Sequence, residues 1–463
     1  MTVEVMALLI ESGKVAKGDT ILKKRVVVFL GIAAAVVLLN ITAWNSAAFC
    51  DWYIARIFPL WVNTYGRLTG LFPFSVGEWL IVAGLALIAT AVLLLLPWGV
   101  VEILGMVRAR QGKYAGQSQQ HVEESVDQNT AAAEEGSAGR SHLGDFPRLW
   151  DFQRIVDFRH FVRRYYRFFA WTLLAVCLIM TLNCFILYHA STFSERYFGS
   201  DGGAGTGSAE YTLEELIGIY NLVAERCLAL SGEIERDESG QALYTGSVGR
   251  NGEKLDMADK ARQLMRELGE SYDQLDGYYP RPKALLSSDF MCQQYMCGYY
   301  FPFSMEANYN DVMYILNIPA TMCHELAHLR GFIYEDEANF IAYLACVESD
   351  DIFFQYAGYL SVLTYLYNDL YKANQANQEA FARAAEAVQP VVVTAQVWED
   401  SVFVTDEEWE RINSKALIDT EIVDQAADVF IDTNLKVNGI SDGSVSYSRV
   451  VKLLLQYYRL QQS

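Results

Sequence analysis

Residues 324–328 of this 463-residue chain read His-Glu-Leu-Ala-His. Two histidines four residues apart share one face of a helix, so a single helix can present both imidazoles to one ion. Metal-assisted hydrolysis needs a Lewis acid with an open position and a base for the attacking water. In the H-E-x-x-H pattern, His324 and His328 bind zinc and Glu325 is the general base. Pro319 before the pair and Gly331 after it are start and stop signals for the helix this chemistry requires.

A catalytic zinc takes three protein ligands, and the chain offers few histidines for the third. There are six in all: His121, His142, His160, His189, His324 and His328. The first four lie far upstream, so a carboxylate is expected. Residues 335–339 read Glu-Asp-Glu-Ala-Asn. A helix beginning near Tyr334 sets Glu335 and Asn339 on one face. Glu335 is then the expected ligand, and Asn339 a hydrogen-bond partner for a ligating histidine. Glu337 is the rival ligand. Gly331 permits the reversal that brings this second helix back over the first. Far downstream, Tyr447, with Arg449 beside it, is a candidate for stabilising an oxyanion.

The elements that must hold this site begin with three apolar runs. Residues 26–44, 79–101 and 168–188 carry no charged side chain and are long enough to cross a bilayer. The first run is too long for a cleavable signal, and a retained anchor is expected. Lys14, Lys17, Lys23, Lys24 and Arg25 precede it, and ten basic residues lie between the second and third runs. Only Arg56 and Arg67 lie between the first and second. This asymmetry predicts a cytoplasmic N-terminus (1–25), a membrane pair (26–101), a cytoplasmic loop (102–167) and a third span (168–188). Residues 200–463 are then an extracytoplasmic domain of a multi-pass protein in the cell membrane, with the lipid bilayer as its first partner.

That outer part is acidic. Over 191–463 there are 42 acidic and 19 basic side chains, against a whole-chain net charge of −20. Such a balance argues against nucleic acid as a partner. Eight cysteines without dense pairing give no disulfide framework.

Residues 111–145 are polar and Gly/Ser/Ala/Gln-rich and read as a flexible linker, and 200–208 read as a short tether. Residues 146–167 mix arginines with aromatics, as a juxtamembrane segment does. Thr212 with Glu215 three residues on predicts a capping box for a helix over 211–230. Another helix is expected over 253–276, extended strands or loops over 283–318, and helices over 320–330, 335–347, 351–371, 375–388, 406–427 and 446–460. Residues 352–368 are nearly uncharged but fall short of spanning length, and are expected as a buried core helix.

HELAH followed by EDEAN resembles the gluzincin class of metallopeptidases, whose second helix carries Glu-x-x-x-Asp or a close variant. The resemblance implies that Glu335 is the third zinc ligand and that the residue four later supports a histidine. Asn339 replaces the commoner Asp, keeping the acceptor and losing the charge. The strings at 298–310 (GYYFPFSMEANYN), 324–332 (HELAHLRGF) and 335–346 (EDEANFIAYLAC) resemble an uncharacterised bacterial membrane family with three spans and a zincin-like outer domain. That likeness implies a mainly α (α+β) zincin-like fold, with an edge strand within 298–310.

Two functions follow as expectations. One is a membrane-anchored zinc metallopeptidase acting on a peptide or protein substrate. The other is a non-catalytic zincin-like sensor or scaffold that signals across the membrane through the 102–167 segment. Cleavage within the bilayer is disfavoured, because Asn317, Arg330, Glu335 and Asp336 flank the HELAH helix.

Overall fold

The computed structural model describes residues 18–126, 152–199, 211–249, 251–437 and 448–462. The expected tether at 200–208, most of the expected linker, and Tyr447 lie outside the described residues. Among the described residues three helices are long and apolar enough to cross a membrane: Lys24–Asn45, Val76–Ile103 and Asp157–His189. The chain divides into two compact units, Met1–Trp79 with Cys177–Ser463, and Leu80–Val176.

The first span lies in α1 (Gly18–Asn45). The second lies in α3 (Val76–Val126), which continues into the stretch expected to be a flexible linker from 111. An established helix extends cheaply through Ala, Gln and Glu, and this stretch has no proline to stop it. The third span begins in α4 (Phe152–Met180) and continues through wider and tighter helical turns to His189; α4 also runs without a break over residues 152–167 of the expected juxtamembrane segment. Within the unit Leu80–Val176 the two helices run antiparallel. Tyr165 donates to the Leu87 carbonyl at 2.5 Å, Tyr166 to the Ala91 carbonyl at 2.6 Å, and Arg159 pairs with Glu102 at 3.2 Å.

The larger unit does not begin at residue 200, as the domain boundary read from sequence had it. The segment between the first two spans folds into α2 (Ala47–Arg56) and shorter helical turns to Thr69. Its Cys50, Tyr53, Ile54, Phe58 and Val62 join the main core, as do Ile186, Leu187 and Phe193 after the third span. Helical spacing puts these inter-span apolar residues on one face, but some of their partners, such as Gly331 against Ile54, lie more than 200 residues away, which no local pattern reveals.

Buried polar contacts fix this segment to the rest. Glu306 accepts from the Val76 and Gly77 N–H groups at 3.1 and 2.8 Å, from Ser304 Oγ at 2.6 Å, and from Lys283. Lys283 also donates to the Thr69 carbonyl at 2.7 Å and the Phe74 carbonyl at 3.0 Å. The pair is fully hydrogen-bonded, as a buried charge must be, and its carboxylate sits at the electropositive N-terminus of α3.

The helix predicted from its capping box is α5 (Leu213–Ser231), with Thr212 and Glu215 bonded reciprocally. The helix expected over 253–276 is shorter: α6 (Met257–Leu268) ends at Gly269, where a Cβ would meet the Asp276 backbone at 2.8 Å. Residues 283–318 hold a small sheet of β1 (Lys283–Ala284), β2 (Gly298–Phe301) and β3 (Glu306–Tyr309). Its order is β1-β3-β2, with β1 parallel and β2 antiparallel to β3, so β2 is an edge. Against it lies α7 (Ile318–His328), and α8 (Glu335–Val347) packs on α7. Residues 352–368 belong to α9 (Ile352–Ala376), whose Phe354, Tyr356, Leu363 and Leu366 are buried in the main core, so it is an interior helix. The helix expected over 406–427 is two, Asp406–Lys415 and Thr420–Val437, because Ala416 turns extended between them. A further short helix, Ala395–Asp400, was not expected. The last described element is α10 (Ser448–Gln462).

Candidate metal centre

Helix α7 carries Pro319 in its first turn and ends at His328, which sets His324 and His328 one turn apart. Gly331 then takes φ +89°, the left-handed conformation, and its N–H bonds back to the His328 carbonyl at 3.0 Å. A Cβ there would also meet Ile54 Cγ2 at 3.0 Å. The reversal therefore needs glycine for its dihedral and for the close approach of the inter-span helix.

The two imidazoles stand perpendicular, with centroids 4.7 Å apart. His328 Nδ1 lies 2.7 Å from the Phe332 carbonyl oxygen, which can only accept, so this nitrogen carries the hydrogen. His324 Nδ1 lies 2.8 Å from Asn339 Oδ1 and donates likewise. In the neutral tautomer each Nε2 is thereby left as a lone pair. The two Nε2 atoms face each other at 3.0 Å. Glu335 Oε2 lies 3.0 Å from His324 Nε2, and its Oε1 lies 3.8 Å from His328 Nε2. With both rings neutral three acceptors converge, and a cation, either a proton on His324 Nε2 or a metal ion, relieves their repulsion; burial lowers His324, but the hydrogen bond and charge of Glu335 carry it up to about 9.

The donor set fits zinc. Ligands about 2.0–2.2 Å from a tetrahedral ion stand roughly 3.3 Å apart, and the observed separations bracket that value. Among the described residues this trio is the one His/Cys/Asp/Glu group with metal-holding geometry. His324 and His328 are nearly buried, whereas the Glu335 side chain is 47% exposed, so the cluster opens on the carboxylate side.

Glu325 points into the same place. It is buried, and among the described residues its Oε2 has no hydrogen-bond partner. Burial raises its carboxyl to about 8, with the His324 charge opposing and the Glu335 charge assisting. A buried carboxylate oxygen without a partner is costly and calls for a ligand or water that completes it. Strand β2 crosses beside it: a Cβ on Gly298 would lie 2.8 Å from Glu325 Oε1 and 2.5 Å from the Asn308 carbonyl.

Glu337 is the exception among the candidate ligands. It faces away from the pair and accepts the Phe193 N–H at 2.6 Å, which holds the chain leaving the third span. Two residues along a helix is about 200° of rotation, so Glu335 and Glu337 cannot face one ion together. Arg449 lies within electrostatic reach of Asp336 and Tyr334.

Several supporting residues escaped sequence reasoning. Phe332 acts through its carbonyl, which any residue possesses. Gly298 acts by lacking a Cβ; its place at the head of an aromatic strand was the available signal. Tyr334, the N-cap of α8, donates to the Tyr188 carbonyl at 2.6 Å, and Tyr300 donates to the Asn183 carbonyl at 3.1 Å. Both tie the site to the last turns of the third span.

A family model described as "Protein of unknown function (DUF3810)" matches residues 146–455, two-thirds of the chain, from before the third span into α10. No curated protein and no solved structure matches it.

Proposed function

The chain belongs to the DUF3810 family, and we propose that it is a membrane-anchored zinc-dependent metallopeptidase. One observation carries the reading. Two histidine Nε2 lone pairs and a half-exposed carboxylate converge within 4.8 Å, beside a buried carboxylate that lacks a partner.

In this reading His324, His328 and Glu335 hold the ion, and Asn339 and the Phe332 carbonyl hold the imidazoles in their ligating tautomer. When bound, zinc supplies Lewis acidity toward water and a substrate carbonyl. Glu325 accepts a proton from the attacking water. The water's hydroxyl joins the carbonyl carbon, the C–N bond breaks, and the proton passes from Glu325 to the departing amine. Burial suits Glu325 to this exchange, since it holds the carboxyl nearer neutrality than a solvated glutamate. The zincin-like arrangement of two helices and an edge strand supports the same assignment. By the charge asymmetry of the loops, the N-terminus is cytoplasmic and the site faces the other side.

The test is zinc content and hydrolysis of fluorescein-labelled casein by the purified full chain, compared with Glu325→Gln. Chelator-sensitive hydrolysis by the wild type, lost in a variant that still binds zinc, is expected. Equal and chelator-insensitive activity in both would sink the reading.

A further inference from the structure

The inter-span segment 46–75 has two apolar faces, and only one is used by the protein. Its inner face holds the site: Ile54 abuts Gly331, and Gly66 lies against the Met305 backbone. On its outer face Trp52, Leu60, Leu68 and Leu71 are each more than half exposed. Trp44, in the last turn of the first span, and Trp79, in the first turn of the second, are exposed to a similar degree. Of the segment's charges, Asp51 pairs with Arg196 at 3.0 Å and Arg67 stacks on the Tyr278 ring at 4.0 Å, while Arg56, exposed one helical turn from both Trp52 and Leu60, is the basic side chain on that face, as suits an element beside lipid phosphates.

The occupant of such a face is set by continuity. Both ends of the segment run directly into helices apolar enough to cross a membrane, so both ends emerge at the same bilayer surface. Tryptophans at both junctions and an apolar helical face between them match an element lying in the headgroup layer. The third span ends at the same level, with the His189 ring 4.5 Å from that of Trp44. The metal cluster stands directly on these ends. Tyr334, which precedes Glu335, bonds to Tyr188; Tyr300, which bonds to Asn183, has its ring 6.1 Å from that of His328.

We infer that residues 46–75 lie in the lipid headgroup layer, and that the site they support takes the membrane-proximal stretch of membrane-anchored polypeptides. The choice of substrate rests on the peptidase reading; the placement of the segment does not. A peptide bond within a few residues of a membrane anchor is held at the height of the cluster, whereas a soluble chain must find a site pressed against lipid. Tethering also raises local concentration.

Two measurements on the full chain in phosphatidylethanolamine/phosphatidylglycerol vesicles test this. The first is depth. A nitroxide is placed by Leu68→Cys or Leu71→Cys with the exposed Cys177 changed to Ser, and by Glu238→Cys on the exposed outer domain as reference. Both inter-span labels are expected to collide more with oxygen and less with a nickel chelate than the Glu238 label. Water-like accessibility at both overturns the placement. The second is cleavage of a degenerate internally quenched peptide, either free or joined to a leucine-alanine transmembrane helix by a spacer of about 6 or about 40 residues. The short-spacer form is expected to be cut about tenfold faster than the free peptide or more, and the long spacer to lose most of that gain. Equal rates, or no cleavage of the anchored form by zinc-loaded protein, overturn the substrate assignment. A protein that binds no zinc defeats the peptidase reading and with it the substrate assignment, while the depth result still decides the placement.

Discussion

The Nε2 atoms of His324 and His328 face each other at 3.0 Å, while each ring turns its Nδ1 away to an acceptor, the Asn339 side-chain oxygen for His324 and the Phe332 carbonyl for His328. Glu335 Oε2 stands 3.0 Å from His324 Nε2, and in the proposed zinc site it is the third ligand. We expect about one zinc per chain by elemental analysis, in line with a single three-ligand site. His324→Ala and Glu335→Ala are expected to lose it. Glu337→Gln is expected to keep it, and loss of zinc in that variant alone would reverse the ligand assignment.

Asn339 acts on the metal through His324. Asn339→Leu removes the acceptor and is expected to weaken zinc binding roughly 10- to 100-fold in a chelator competition. Asn339→Asp keeps an acceptor and is expected to stay near the wild type. Equal loss in both would show that shape, not hydrogen bonding, matters at this position.

Gly298 leaves no room beside Glu325. Gly298→Ala would set a methyl 2.5 Å from the Asn308 carbonyl oxygen and 2.8 Å from Glu325 Oε1, both below contact distance. The expected outcome is a fall in casein hydrolysis with zinc content retained, since none of the three ligands is touched. Unchanged hydrolysis means that β2 can shift without cost.

Gly331→Ala meets two penalties, a positive φ and the Ile54 side chain. Together they are expected to cost about 1–3 kcal/mol in thermal or denaturant unfolding. Adding Ile54→Ala to Gly331→Ala is expected to cost less than the two single changes summed, because the smaller residue removes the steric part. Strict additivity would assign the whole effect to backbone strain.

The capping box of α5 gives a prediction with a defined pH sign. Thr212→Ala is expected to cost about 1 kcal/mol. Hydrogen bonds from Arg459 and Thr212 hold the Glu215 carboxyl below its ordinary value of 4.5. Its contribution is therefore present above about pH 4.5 and lost as pH falls through the depressed value. In Arg459→Ala this acid dependence is expected to shrink.

Much of the candidate site was legible before the fold was. HELAH and EDEAN are local patterns, and an α-helix turns local spacing into a shared face, so the residues brought together were nameable from their numbers alone. The choice between Glu335 and Glu337 was not. Both begin the same helix, and which one meets α7 depends on the path from Leu329 to Tyr334, where Gly331 turns left-handed against Ile54. Likewise the capping box located α5 to within two residues, while the helix expected over 253–276 ended early at Gly269 for a contact made with Asp276.

The sequence by itself determined three apolar spans, a helical outer part and one histidine pair with a carboxylate to follow, because hydropathy and helical period are written residue by residue. Tertiary structure alone decided that the inter-span segment belongs to the same core as the site, with Ile54 under Gly331 and Glu306 gripping the start of the second span. These are contacts between parts of the chain more than 200 residues apart. They arise from shape and from the demand that buried polar groups be paired, and neither leaves a periodic trace in the residues on either side.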